Sequence, residues 1–149
     1  MVEEIISVNA YRFCVRHKDE EIYSILLSQK EGKKAGSKLA NHLIYQLEEY
    51  FAGKRKSFDL KLHFEGTSFQ KSCWKALLKI PYGETRTYQE IARKIGKGKA
   101  CRAVGQAIHR NPFVIVVPCH RVILKDGSLG GYLYGEEMKR TLLELEKNP

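Results

Sequence analysis

The sequence predicts an α+β protein in two parts. A small N-terminal α/β subdomain, a β-hairpin or sheet plus one helix, precedes a mainly α-helical domain built around a helix-turn-helix. Three observations carry this. Tyr11, Phe13 and Val15 alternate with polar residues at the period of a half-buried strand. Helical spacing of apolar residues takes over beyond Thr67. Gly96-Lys97-Gly98 then divides two short apolar-faced segments that carry dense positive charge. The boundary is expected at Gly66, giving a subdomain of 1–66 and a domain of 67–149.

Val2 to Gln29 reads as a β-hairpin. His17-Lys18-Asp19-Glu20 turns the chain, and Ile22 to Leu27 return it. Leu39, Leu43, Ile44, Leu47, Tyr50 and Phe51 recur at helical spacing, with Gly53 as C-terminal cap. Phe58, Leu60, Leu62 and Phe64 alternate as a further strand. Thr67 is the N-cap of a helix with Phe69, Cys73, Trp74, Leu77 and Leu78 on its apolar face, ended by Ile80-Pro81-Tyr82-Gly83. Thr87 and Glu90 form a capping box that opens a short helix burying Ile91, Ala92 and Ile95. A second helix, from about Lys99 to His109, turns Ala103, Val104, Ala107 and Ile108 inward. Asp126-Gly127-Ser128 is a turn and Gly130-Gly131-Tyr132 a permissive loop. A last helix, Gly135 to Lys147, presents Met138, Leu142 and Leu145.

With 149 residues, 43% of them hydrophobic and 29% charged, the chain can bury a core and is not disordered. No apolar run approaches the roughly 20 residues a bilayer span needs. Met1-Val2-Glu3-Glu4 carries acid where a secretory signal carries positive charge, so a cytoplasmic location and no membrane partner are expected. Cys14, Cys73, Cys101 and Cys119 are widely spaced. They read as thiols, although the spacing leaves a Cys14–Cys73 or Cys73–Cys101 bridge open. No metal-ligand spacing occurs. The net charge is +9, and between Arg86 and Arg110 seven basic residues face Glu90 alone. Concentrated positive charge suits a polyanion.

The most informative stretch is Pro118-Cys119-His120-Arg121, which follows the apolar run Phe113 to Val117. A thiol attacks as thiolate, and an adjacent base or cation promotes that form. Taken alone, the pair reads either as a nucleophile placed against the core or as a buried cysteine beside a surface histidine. The basic helix pair a few residues upstream favours the nucleophile.

Pro118-Cys119-His120-Arg121-Val122, preceded by Arg102-Ala103-Val104-Gly105 and Asn111-Pro112, resembles the O6-alkylguanine-DNA alkyltransferases, also called methylated-DNA–protein-cysteine methyltransferases. The likeness runs from Phe69 to Glu146 without an insertion. The first 66 residues resemble the family's variable subdomain in size and pattern only. The resemblance implies direct-reversal repair by single-turnover S-methyltransfer. The alkyl group of O6-alkylguanine, and less surely O4-alkylthymine, moves irreversibly to Cys119. It implies that His120 takes the thiol proton through a water and is held by Glu146, with Glu144 a competitor for that place. It also implies Tyr88 as donor to the leaving base and Arg102 as the residue that fills the space of a flipped nucleotide. Ala103 and Gly105 would let the second helix approach the minor groove of double-stranded DNA. Asn111 would tie the turn, the Val122 carbonyl would accept from the guanine amino group, and Tyr132 with the Leu133 N–H would close the pocket. Lys99, His109 and Arg110 would contact phosphates, and Arg121 would pair with a buried acid. No cofactor or metal is implied, and the absence of a dimerisation segment suggests a monomer. A non-catalytic reader of alkylated bases, a helix-turn-helix regulator and a Cys-His hydrolase are the alternatives. The first lacks the cysteine, the second needs a dimer, and the third leaves the basic helices unexplained.

Overall fold

The computed structural model describes residues 1–31 and 36–147. These divide into two compact units: 1–64 with 112–114, and 65–111 with 115–147. The architecture is the expected one, a small sheet-and-helix unit and a mainly helical unit with a helix-turn-helix.

In the first unit the expected hairpin is a three-stranded antiparallel sheet, β1 (Val2–Val8), β2 (Tyr11–Lys18) and β3 (Glu21–Leu27), in that order. The segment before Tyr11 forms a strand of its own because Ile6 and Val8 alternate onto the buried face beside Phe13 and Val15. Asp19 and Glu20 both take positive φ, +52° and +65°, which matches the twist of a two-residue hairpin turn. Helix α1 (Lys38–Phe51) is capped by Ser37 and packs on β1 through Leu43, Leu47 and Tyr50. Ser37 itself is held by Glu4 of β1. That carboxylate accepts from the Gly36 and Ser37 N–H groups at 3.0 and 3.1 Å, from Ser37 Oγ at 2.5 Å, and from His17 Nε2 of β2 at 2.6 Å.

The expected strand over 58–64 is reduced to a bridge. Only Leu62 pairs, with Ile22, while Ile22 N–H donates to the Lys61 carbonyl and His63 N–H to the Ile22 carbonyl. The reason is a side chain. The buried Gln46 amide of α1 donates to the Asp59 carbonyl and accepts from its N–H, at 2.9 and 3.0 Å, satisfying the backbone that a longer ladder would use.

The second unit holds α2 (Ser68–Leu78), α3 (Tyr88–Lys94), α4 (Cys101–His109) and α5 (Glu136–Lys147). Both capping boxes form, Thr67 with Gln70 and Thr87 with Glu90. Helices α2, α3 and α4 pack on one another, and Trp74 Nε1–H of α2 donates to the Ala107 carbonyl of α4 at 2.9 Å. The turn between α3 and α4 is a Schellman motif. Gly96, at φ +75°, donates to the Arg93 carbonyl, and Lys97 donates to Ala92. A Lys97–Ala100 turn follows, so α4 starts at Cys101, two residues later than expected. Five expected inward residues are not buried: Leu78 is 44% exposed, Ala103 is exposed, Phe69 and Ile95 are half-buried, and on α5 Leu145 gives way to Leu143. Each lies at the margin of its helix's apolar stripe. No described helix is long and apolar enough to cross a membrane.

Candidate active site

Cys119 sits at the head of a single 3-10 turn, Cys119–Arg121, that leads into a short strand, β5 (Val122–Ile123). Strand β5 pairs in parallel with β4 (Arg86–Thr87), which immediately precedes α3. The thiol's chain segment and the helix pair are thus stitched together by backbone. The run before it is buried from Phe113 to Val117, as its composition predicts, yet it is folded into turns. Ile115 adopts φ +68°, a costly conformation for a β-branched residue, of order 1–3 kcal/mol. Full burial of its side chain holds it there. Asn111 Nδ2–H donates to the Val117 carbonyl at 2.7 Å, fixing the path into the turn.

The turn sends His120 and Arg121 to one acid. His120 Nε2 lies 2.7 Å from Glu146 Oε2. Arg121 Nε donates to Oε1 at 2.7 Å and Nη2 to Oε2 at 3.1 Å. The sequence left Glu144 and Glu146 in competition. In the structure Glu146 is buried against His120 and Glu144 is exposed, because α5 turns Leu142, Leu143 and Glu146 inward. A carboxylate accepts only, so the shared proton belongs to His120 Nε2, and Nδ1 is the ring's bare acceptor. Nδ1 is buried and has no hydrogen-bond partner among the described residues. Burial lowers the imidazole's basicity, with Arg121 and Lys139 adding to the effect and Glu146 opposing it. The resting ring is therefore neutral, with one nitrogen ready to accept. Arg121 completes its role as partner of a buried acid by donating Nη1–H to the Ile80 carbonyl at 2.8 Å.

Burial pushes the Cys119 thiol up, so at rest it is protonated. Four influences act the other way: hydrogen bonding from Asn111, the charge of Lys139, its own backbone, and Tyr132. Lys139 is the residue that sequence reading missed. It stands on the inward face of α5, fully buried, and donates from Nζ to the Val122 carbonyl at 2.6 Å and the Gly131 carbonyl at 3.2 Å. Its position one residue from Met138 and three from Leu142 was the available signal, masked by the default that lysines face water. The Val122 carbonyl, expected to take a base amino group, thus already accepts one bond and has one lone pair left.

Around the thiol, the Tyr88 ring lies half-buried at the start of α3, with its hydroxyl pushed up by burial and then by Cys119 and Cys101. A Cβ placed at Gly105 of α4 would lie 3.8 Å from that ring, so the small residue lets α4 pack close. The loop after β5 brings Gly130 near the same ring and Gly131 against the imidazole of His109. Tyr132 is half-buried and interacts with Cys119, whereas Leu133 beside it is 59% exposed. Lys99, Arg102, Ala103, Gln106, His109 and Arg110 are all exposed, and those on α4 share one face of the helix. All four cysteines are free thiols, which closes the bridge that spacing left open.

The residue pattern has counterparts in known proteins. Residues 68–148 match the family model described as 6-O-methylguanine DNA methyltransferase, DNA binding domain. A methylated-DNA–protein-cysteine methyltransferase of Methanosarcina barkeri is 65% identical over 103 residues, 69% of this chain and 65% of that protein. One from Mycobacterium tuberculosis is 58% identical over 69% of this chain and 62% of its own length. The matched stretch thus spans somewhat less than two-thirds of these relatives. Among solved structures, Mycobacterium tuberculosis OGT in complex with DNA superposes with TM-score 0.89 at 42% identity, covering 97% of this chain and 92% of that one. An O6-methylguanine DNA methyltransferase from Methanococcus jannaschii gives 0.74 at 28% identity, covering 97% and 93%. A model match over more than half the sequence, and a whole-length structural relative at this identity, make the chain a member of the O6-alkylguanine-DNA alkyltransferase family.

Proposed function

We propose that the protein repairs alkylated DNA by moving the alkyl group of O6-alkylguanine onto Cys119, once per molecule. One observation carries the reading: a buried thiol stands in a turn with a neutral histidine whose far nitrogen is held by Glu146, beside an exposed basic helix. The thiol proton passes to His120 Nδ1 through a bridging water. The sulfur then attacks the alkyl carbon in line, forming C–S as the C–O6 bond breaks, and the electron pair leaves with guanine. Tyr88 supplies a hydrogen bond, and as charge builds a proton, to the departing base. The balance closes without a cofactor. Because nothing in the constellation cleaves a thioether, the protein is consumed.

The buried thiol requires the nucleotide to be rotated out of the duplex, at a cost of a few kcal/mol. Arg102, exposed on α4, is suited to fill the vacated stack, since a guanidinium can both stack and hydrogen-bond. Ala103 and Gly105 keep that helix slim enough for the minor groove, whose degenerate code suits low sequence preference. Lys99 and Arg110 take phosphates, and a monomer suffices. The test is intact-protein mass spectrometry after incubation with a duplex containing one O6-methylguanine. A gain of one methylene unit on the Cys119 peptide, absent in Cys119→Ser, is expected. A damaged oligonucleotide recovered beside unmodified protein would overturn the reading.

A further inference from the structure

The loop between β5 and α5 brings Tyr132 to the thiol, yet its own backbone has little reason to stay in place. Four of the nine residues from Gly127 to Gly135 are glycine, the residue with the most conformational freedom to lose. The loop's placement therefore depends on what packs against it. Leu124 and the Tyr88 ring lie beside Gly130, where a Cβ would meet them at 3.2 and 3.6 Å, and Lys139 holds the Gly131 carbonyl. A further contact comes from α4, through His109.

That contact explains a glycine the backbone does not. Gly127, Gly130 and Gly135 all take positive φ, whereas Gly131 does not. A Cβ at Gly131 would stand 3.0 Å from His109 Cε1 and 3.4 Å from Nε2. Carbon atoms pack at about 3.5–4.0 Å, so only a bare Cα lets the imidazole lie this close. The ring stands on a firm mount. His109 is the last residue of α4, whose Val104, Ala107 and Ile108 are buried and whose Ala107 carbonyl accepts from Trp74. His109 also shares the exposed face of α4 with Arg102 and Gln106. The sequence expectation makes it one more phosphate contact on that face. In the structure the tip of its ring meets loop backbone.

We infer that His109 is a positioning residue for the transfer: its ring is the strut through which α4 fixes the Gly131 backbone, and with it the Tyr132 side of the thiol pocket. The inference rests on the alkyl-transfer reading and deepens it, because the helix proposed to enter the minor groove then also sets the pocket. A strut needs a ring of the right shape. A phosphate contact needs a donor.

Two substitutions separate these roles. His109→Phe keeps a planar ring and removes every donor, and His109→Ala removes both. Three quantities are read: hydrogen exchange of the peptide spanning residues 127–134 in protein without DNA, the single-turnover rate at saturating O6-methylguanine duplex, and duplex affinity across salt. His109→Ala is expected to speed exchange of the loop about tenfold. It should slow saturated transfer about tenfold, since small misplacements of a reacting site are costly. Duplex Kd and its salt slope should stay within about twofold of wild type. His109→Phe should recover most of both losses. Gly131→Ala should also slow transfer, and its methyl group should be tolerated better once the ring is gone, so the double variant with His109→Ala is less impaired than the product of the singles.

Wild-type loop exchange and saturated rate in His109→Ala would overturn the proposal. So would a Phe variant as slow as the Ala variant with its fold intact, or a loss confined to affinity with a shallower salt slope, which would return His109 to the phosphates. Should Gly131→Ala fail to fold, the two variants at 109 still decide. Loop exchange is measured without DNA, so it tests the strut by itself. Wild-type protein that takes up no methyl group would instead sink the alkyl-transfer reading, whatever the loop does.

Discussion

Each unit contains a cysteine, a histidine and a glutamate close in space, and only one set forms a line. In the sheet unit, Cys14 donates to Glu3 at 3.3 Å, while His17 turns to Glu4, whose carboxylate also caps α1. In the helical unit, His120 links Cys119's turn to Glu146. Both thiols are pushed up by burial. Glu3 pushes Cys14 further up, against smaller opposing pulls from Lys30 and Arg16, whereas Asn111, Lys139 and Tyr132 all pull Cys119 back. Histidine–glutamate pairing is thus not the mark of a reactive centre. What separates the two is the charge and hydrogen bonding that the thiol itself meets.

The sharpest way to break that contrast is to remove each sulfur. Cys119→Ser is expected to abolish methyl uptake by intact mass while leaving duplex binding in a gel-shift assay. Cys14→Ser should leave uptake at the wild-type level. Loss of uptake in both would mean the contrast is wrong.

Next in size is Glu146→Gln. It leaves the Arg121 guanidinium buried without its counter-charge, a class of change worth about 3–5 kcal/mol. A large fall in the urea midpoint and slower transfer are expected. The matching Glu4→Gln loosens the hold on the Ser37 cap and on His17, a loss of about 1–2 kcal/mol, and should spare the transfer rate.

Acid sharpens the Glu4 side further. Burial opposes ionisation there, but Ser37, His17 and Gly36 together lower the Glu4 carboxyl from 4.5 to about 2. The folded chain binds that proton more weakly than the unfolded one. The stabilisation is therefore complete above about 4.5 and lost as pH falls toward about 2. The urea midpoints of wild type and Glu4→Gln should converge over that window, and a constant gap would refute the assignment.

The smallest effect is expected on the exposed face of α4. Arg110→Ala should weaken duplex binding a few-fold without regard to sequence and reduce the magnitude of the salt slope by about one. An unchanged slope would remove Arg110 from the phosphate contacts.

The order of elements was legible from periodicity and caps, because Thr67, Thr87, Gly53 and Gly96 each use local chemistry that a sequence displays. The strand expected at 58–64 was not, since the amide that replaces its ladder comes from Gln46, far along the chain. Within the site, Cys119 and His120 could be read directly. Choosing Glu146 over Glu144 needed the family pattern or the rotation of α5. Lys139 stayed hidden because burial of a lysine is set by tertiary neighbours and runs against composition-based expectation.

Trp74 is the only tryptophan in the chain, and its indole N–H is bonded to the last turn of α4. The protein therefore carries its own optical probe. Shifts in intrinsic fluorescence on mixing with a duplex would follow strain in α4 in real time, with no added dye.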